Sequence, residues 1–436
     1  MRAAVTWRNG GAGRALGLVM LAGAVNYLDR ITLSVAAPLI AAELHLTPGR
    51  MGLLLSAFLW AYALAQAPVG ALVDRLGARP LLGGALALWS AAQAATGLAG
   101  NLPQLVVARL VLGVGEAPQW PVGAKVVRTW IAPHRRGLAT GLFNSASTLG
   151  PAIAPPIVTA LMLAFGWRGA FLATGAIGLA AAVIWIGLYR DRPAPIDEPE
   201  ETSAPPPWSR LLGQPTLWAM ALGNFGSGYM TWFYAVWLPS YLESARHFSV
   251  LATGWAASVP YLFGFAGSLA GGWACDRLAA AGLSPLVSRK APIVAGLVGG
   301  AICTGLAILA PSGALALAAI CGALMCANVA TASIWALAVI AAPRRWTASV
   351  GAVQNFGGLI GGAVAPIVTG LTLEATHSFA PALAITAAAG VGGALVYLLG
   401  VRKPIVAQSY RRISTSSTQA LTTASTNTAT APPASQ

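Results

Sequence analysis

Four ionisable side chains fall inside long apolar runs: Asp29, Arg30, Arg109 and Glu116. Two are acids and two are bases. A charge at the centre of a membrane-spanning helix costs about 2.5–3.5 kcal/mol on insertion scales, so a purely structural helix avoids it. Asn26, Asp29 and Arg30 follow at i, i+3 and i+4, and Arg109 and Glu116 lie two helical turns apart, so each set shares one helix face. If the two faces line one cavity, the four groups pair. Two buried ion pairs that merely lock the fold are the plainer reading, but such pairs stabilise weakly. The alternative chemistry is proton and anion binding. A guanidinium fork grips a carboxylate through two hydrogen bonds. The acids neutralise the arginines while no anion is present, and protonating an acid releases an arginine for the anion.

The elements that must position these groups are spans. The chain has 436 residues, of which 56% are hydrophobic and 9% charged. A soluble domain carries about 25% charged residues, so lipid is the solvent for most of this chain. At about 20 apolar residues per crossing, twelve candidates follow: 15–42, 51–72, 80–99, 103–126, 138–165, 168–189, 215–243, 252–274, 291–310, 314–340, 348–372 and 379–401. The stretch 138–165 is proline-rich enough to kink. Of the 26 Lys and Arg, Arg30 and Arg109 lie within runs, and Arg50, Arg168 and Arg246 occupy one set of alternating gaps. All the others share the side of the N-terminus. The positive-inside rule puts that side, with both termini, in the cytoplasm, as expected for a bacterial inner-membrane protein. Arg2, Arg8 and Arg14 precede an apolar run with no convincing cleavage site, so the first helix is read as retained.

The expected organisation is a cytoplasmic N-terminus (1–14), an N-terminal six-helix bundle (15–190), a polar linker (191–213), a C-terminal six-helix bundle (214–402) and a disordered tail (403–436). The linker holds Asp191, Asp197, Glu198, Glu200, Glu201 and Pro205-Pro206-Pro207. The bundles repeat. Ala154-Pro155-Pro156-Ile157-Val158-Thr159 resembles Val364-Ala365-Pro366-Ile367-Val368-Thr369. Asn144 and Gly150 map to Asn355 and Gly361, and Gly70-x3-Asp74-Arg75 maps to Gly272-x3-Asp276-Arg277. Parallel duplication of a six-helix unit puts a substrate site at the bundle interface, where rocking of the halves gives alternating access.

Other classes are excluded. The net charge of +14 sits in short gaps with no basic stripe interleaved with aromatics, so nucleic acid is not a partner. The four cysteines form no C-x-x-C, and three of them fall in apolar runs, which reads as buried thiols without zinc or disulfide. All four histidines lie in predicted loops. No clustered His and no G-x-S-x-G is present, so an enzyme is not expected and no metal or cofactor is needed beyond a proton gradient.

The stretch Gly70-Ala-Leu-Val-Asp74-Arg75-Leu-Gly77-Ala-Arg79 resembles the cytoplasmic signature of the major facilitator superfamily. Its glycines permit close helix approach. Asp74 with Arg75 and Arg79, and Asp276 with Arg277 in the second copy, are candidates for a cytoplasmic gate. Asn26-Tyr27-Leu28-Asp29-Arg30 and Arg109-Leu-Val-Leu-Gly113-Val-Gly115-Glu116-Ala117-Pro118 resemble the anion–cation symporter family of that superfamily. Tyr229, Trp232, Tyr234 and Trp237-Leu-Pro239-Ser-Tyr241-Leu242 do so too. That family includes transporters of hexuronates, galactonate, glucarate and phthalate.

The resemblance covers about residues 15–402. It implies an all-α membrane protein with two pseudo-symmetric six-helix bundles, importing a small organic anion with protons as a monomer. It assigns proton coupling to Asp29 and Glu116, the substrate carboxylate to Arg30, a charge-partner role to Arg109, and cavity-lining positions to Tyr27, Tyr62, Trp335 and Asn355. Gln354 is a second polar candidate beside Asn355. Ser147 stands where galactonate-type members often have a glutamine, and Arg135 where the family commonly has Glu. A sugar acid is the favoured cargo. An aromatic or dicarboxylic acid is the alternative, and an exporter or uniporter ranks behind both.

Overall fold

The computed structural model describes residues 10–132, 135–191, 208–342 and 346–405, without the side chains of 67, 70, 71, 74 and 145–148. The expected linker acids from Asp197 to Glu201 and the tail from 406 onward lie outside the described residues. What is described is helical, with no strand. Lipid offers a backbone no hydrogen bonds, so each segment must satisfy its own.

The order is α1 (Gly10–Glu43), α2 (Pro48–Leu76), α3 (Ala78–Leu98), α4 (Leu102–Glu116), α5 (Gln119–Trp130), α6 (Arg136–Leu188), a short α7 (Trp208–Leu212), α8 (Pro215–Ser240), a π-helical turn (Tyr241–Ala245), α9 (Val250–Ala256), α10 (Val259–Ala280), α11 (Pro285–Leu309), α12 (Gly313–Ala341), α13 (Thr347–Thr376) and α14 (Phe379–Gly400). Eight stretches are long and apolar enough to cross a membrane by length and composition alone. One of these is α6, whose 53 residues hold two crossings. Its chain turns back at Gly166, where φ is 69° and ψ is 172°. Glycine meets that left-handed φ without a Cβ penalty. Beyond the turn, α6 runs antiparallel to α3, with Arg168 against Gly97, Ala94 against Gly175 and Ile186 against Gly83. The reversal falls in the gap between the expected spans 138–165 and 168–189. The helix continues through Pro151, Pro155 and Pro156 and leaves helical geometry at Gly166.

The repeat has a packing counterpart. Gly150 of α6 lies against Tyr27 of α1, and Gly361 of α13 lies against the Phe225 backbone of α8. In both halves the fifth crossing presses a glycine onto the first.

The two halves meet toward the face that carries Arg50, Arg168 and Arg246. There the Ser34 hydroxyl of α1 donates to the carbonyls of Ala235 and Val236 at 3.0 and 2.9 Å. The Ser56 hydroxyl of α2 donates to the Ala363 carbonyl at 2.5 Å. The Gly49 N–H, in the first turn of α2, donates to the Glu374 carboxylate at 2.9 Å. Gly52 rests on the backbone of Pro366 and Gly370. The apolar core divides accordingly. One cluster near this face draws on both halves, and two further clusters lie toward the basic face, one mostly in each half.

One close approach positions the charged residues of α4. A Cβ on Gly113 would collide with the Phe58 carbonyl and crowd the Tyr62 nitrogen of α2. Gly113→Val is expected to push α4 from α2 at an overpacking cost of about 1–3 kcal/mol. Purified protein in detergent should then unfold at a lower temperature, and an unchanged melting temperature would show that this contact does not limit packing.

Candidate functional site

Helix α1 brings Asn26 and Asp29 fully into the interior. Helix α4 ends at Glu116, and α5 begins at Gln119 after Ala117 and Pro118. Proline has no N–H to continue the helical ladder, so the crossing is interrupted beside Glu116. Across this space Arg30 Nε donates to Glu116 Oε2 at 2.6 Å, with the two side chains 8% and 0% exposed. Two turns earlier on α4, Arg109 is also buried, and its guanidinium carbon stands 5.5 Å from the Phe171 ring centre of α6.

Asp29 lies within electrostatic reach of both Glu116 and Arg109, with the Trp89 indole of α3 beside it. The four charges therefore gather in one pocket. Hydrogen bonding joins Arg30 to Glu116, while Asp29 and Arg109 are neighbours without a hydrogen bond among the described residues. The symmetric double pairing expected from the sequence is thus only half made.

What is left unmade is chemically informative. Arg30 Nη2 and Arg109 Nε and Nη2 are buried without a hydrogen-bond partner, and both Asp29 oxygens and Glu116 Oε1 lack a well-formed one, with the Trp89 indole beside Asp29 and the Asn26 amide beside Glu116. Buried polar atoms are ordinarily satisfied. A concentration of open donors and acceptors around one ion pair is a place that accepts a proton or a ligand group.

The Arg30 head is ringed by aromatic side chains. Its guanidinium carbon lies 4.8 Å from the Phe58 ring centre, 4.9 Å from Tyr62 and 5.4 Å from Tyr27. Tyr27 and Tyr62 thus sit directly against the arginine. Trp335 of α12 is 50% exposed. It stands one turn beyond Thr331, whose hydroxyl meets Ser227 of α8 at 3.4 Å. Asn355 of α13 is half-buried. Among the described residues neither Trp335 nor Asn355 has a hydrogen bond or ring contact with Arg30. Gln354 turns elsewhere: it is fully buried, its Nε2 donates to the Ile334 carbonyl at 3.2 Å, and its own carbonyl accepts from Asn224. It braces α13 against α12 and α8 inside the C-terminal half. Ser147 lies on α6, with its side chain outside the described residues.

The candidate gate residues lie near the ends of α2, α3 and α10. Gly70 and Asp74 lie on α2, their side chains outside the described residues, and Arg75 is exposed near the end of that helix. Arg79 donates from Nε and Nη2 to the Ile186 carbonyl at 3.0 and 2.7 Å, tying α3 to α6 within one half. Asp276 and Arg277 are exposed near the end of α10 and enter no ion pair among the described residues.

Sequence reasoning missed several neighbours. Phe58 precedes Tyr62 by one helical turn, a spacing that was available as a signal. Trp89 and Phe171 carried no signal, being two aromatics among many in apolar runs. Asp191, read as linker, accepts from the Ala78 and Arg79 N–H groups and so caps α3.

Comparison with known proteins agrees with this architecture. Residues 19–366 match the family profile described as Major Facilitator Superfamily. The chain is 40% identical over 405 residues to the probable L-galactonate transporter of Escherichia coli, covering 90% of this chain and 89% of the relative. It is 32% identical over 397 residues to the hexuronate transporter of Bacillus subtilis, covering 89% and 94%. Among solved structures, a bacterial homolog of the human lysosomal transporter Spinster, inward-facing and occupied, matches with a TM-score of 0.74 at 19% identity, over 90% of this chain and 94% of that one. This chain is a membrane-spanning transporter, not an enzyme, and belongs to the major facilitator superfamily.

Proposed function

We propose that the protein imports a small organic anion together with protons, by alternating access across a bacterial inner membrane. A sugar acid such as a hexonate, hexuronate or aldarate is the cargo. The basic face and both termini lie in the cytoplasm, the proton gradient is the driving force, no cofactor takes part, and the monomer is the working unit. The observation that carries this reading is the buried Arg30–Glu116 pair with open hydrogen-bonding capacity on both partners. The named substrates of the relatives, galactonate and hexuronate, support the choice of cargo.

The mechanism follows from charge balance. With Asp29 and Glu116 ionised and Arg30 and Arg109 cationic, the pocket is neutral. A proton on one acid leaves one guanidinium charge uncompensated in a medium where charge is expensive. A carboxylate restores neutrality and finds a planar donor fork in Arg30. Tyr27, Tyr62 and Asn355 offer hydrogen bonds to substrate hydroxyls, and Trp335 offers a ring face. Proton and anion then enter as a neutral set, and neither is favoured alone.

In proteoliposomes, L-galactonate uptake is expected to rise when the outside is acidified and to collapse with a protonophore. Uptake indifferent to the pH gradient would remove symport. Asp29→Asn and Glu116→Gln should each abolish accumulation while leaving counterflow exchange, and wild-type accumulation in both would reject their coupling role. Arg30→Ala should lower anion affinity at least tenfold, and unchanged affinity would reject the contact. On the periplasmic side, Glu374→Ala removes the acceptor that holds the first turn of α2. A cysteine at Ser56 should then react several-fold faster with a membrane-impermeant maleimide added outside, and an unaltered rate would show that this contact does not keep the outer face shut.

A further inference from the structure

We propose that Phe58 is a positioning residue for anion recognition: it keeps the Arg30 guanidinium from folding flat onto Glu116. The proposal rests on Arg30 being the anion contact. Phe58 is buried, carries no polar atom, and has the ring nearest to the Arg30 head at 4.8 Å. Tyr62 lies alongside it, with ring centroids 5.6 Å apart and planes 25° apart. Together they make a two-ring wall on α2. That wall is fixed in place by Gly113, whose α-carbon packs against the Phe58 carbonyl and the Tyr62 nitrogen.

With rings against its head, the guanidinium still presents its five N–H groups in its own plane. One of them, on Nε, is spent on Glu116 Oε2. Nη2 and Glu116 Oε1 are buried without a well-formed hydrogen bond, with Tyr62 beside the guanidinium and the Asn26 amide beside the carboxylate. These two open atoms belong to the same ion pair. A small roll of the guanidinium would join them into a bidentate, fork-to-fork pair, the stronger arrangement of these two groups. That closed pair would consume the edge a substrate carboxylate needs. The single 2.6 Å contact with an idle Nη2 is the arrangement expected when the ring beside the guanidinium restrains its roll. A phenyl ring suits the task, because its face attracts the cation.

Three measurements test this. In proteoliposomes, Phe58→Leu is expected to raise the KM for L-galactonate at least tenfold, while Phe58→Tyr, which keeps the ring, stays within threefold of wild type. In counterflow exchange, where Glu116→Gln remains active, the Phe58→Leu penalty should shrink to under threefold in the Glu116→Gln background, because the competing acceptor is weakened. A packing defect alone would persist in that background and would overturn the proposal. The third readout needs no substrate. In infrared difference spectra, the Glu116 carboxylate band, assigned by its loss in Glu116→Gln, should move toward the bidentate position in Phe58→Leu and not in Phe58→Tyr. An unmoved band overturns the proposal whatever the cargo. A band that moves in Phe58→Leu while the wild-type protein ignores L-galactonate supports the restraint on Arg30 and removes instead L-galactonate as the cargo.

Discussion

A guanidinium and a carboxylate held 2.6 Å apart among apolar helices set the conditions for everything around them. Removing two such charges from water costs several kcal/mol each, and their mutual attraction returns that only when geometry and further hydrogen bonds are favourable. Here the further hydrogen bonds are missing on both partners. The surroundings compensate in another way. Aromatic faces cover the Arg30 head, and close glycine contacts hold α1, α2, α4 and α6 where they must be. A fully satisfied pair would be a better strut and a worse binding group.

The two halves share a plan and divide the labour. Gly150 on Tyr27 and Gly361 on Phe225 mark the same crossing twice. The charges, however, were kept in one copy only. Where the N-terminal half buries Asp29, Arg109 and Glu116, the C-terminal half buries neutral groups such as Ser227, Gln354 and Thr369. Gln354 and Asn224 spend amide N–H groups on backbone carbonyls within that half.

Much of this was legible in the sequence, for an identifiable reason. A charge in an apolar run is conspicuous because lipid makes it costly, so Asp29, Arg30, Arg109 and Glu116 stood out, and helical spacing placed them on shared faces. The duplicated proline and glycine motifs exposed the repeat for a similar reason, since close crossings tolerate few residue types. What stayed hidden depends on three-dimensional neighbours. Phe58 and Trp89 look like any other apolar aromatic until α1 is laid against α2 and α3. The turn at Gly166 falls in the gap between the expected spans 138–165 and 168–189, where a positive φ is needed, and what the sequence left open was only how the three prolines before it would shape the helix. Asp191 seemed to belong to an acidic linker, and only the start of α3 shows what its carboxylate holds. Which partner each buried acid would take was likewise undetermined, because helix faces do not fix side-chain reach.

The serine contacts across the seam have a consequence for how such a protein diverges. Ser34 and Ser56 both bond to main-chain oxygens of the opposite half, at Ala235, Val236 and Ala363. A main-chain acceptor survives substitution of the residue that bears it. Mutations that change the side chains of α8 or α13 therefore leave these bonds intact, as long as the helix path holds. Side-chain change on these two helices and preservation of the contact between the halves become separable in evolution.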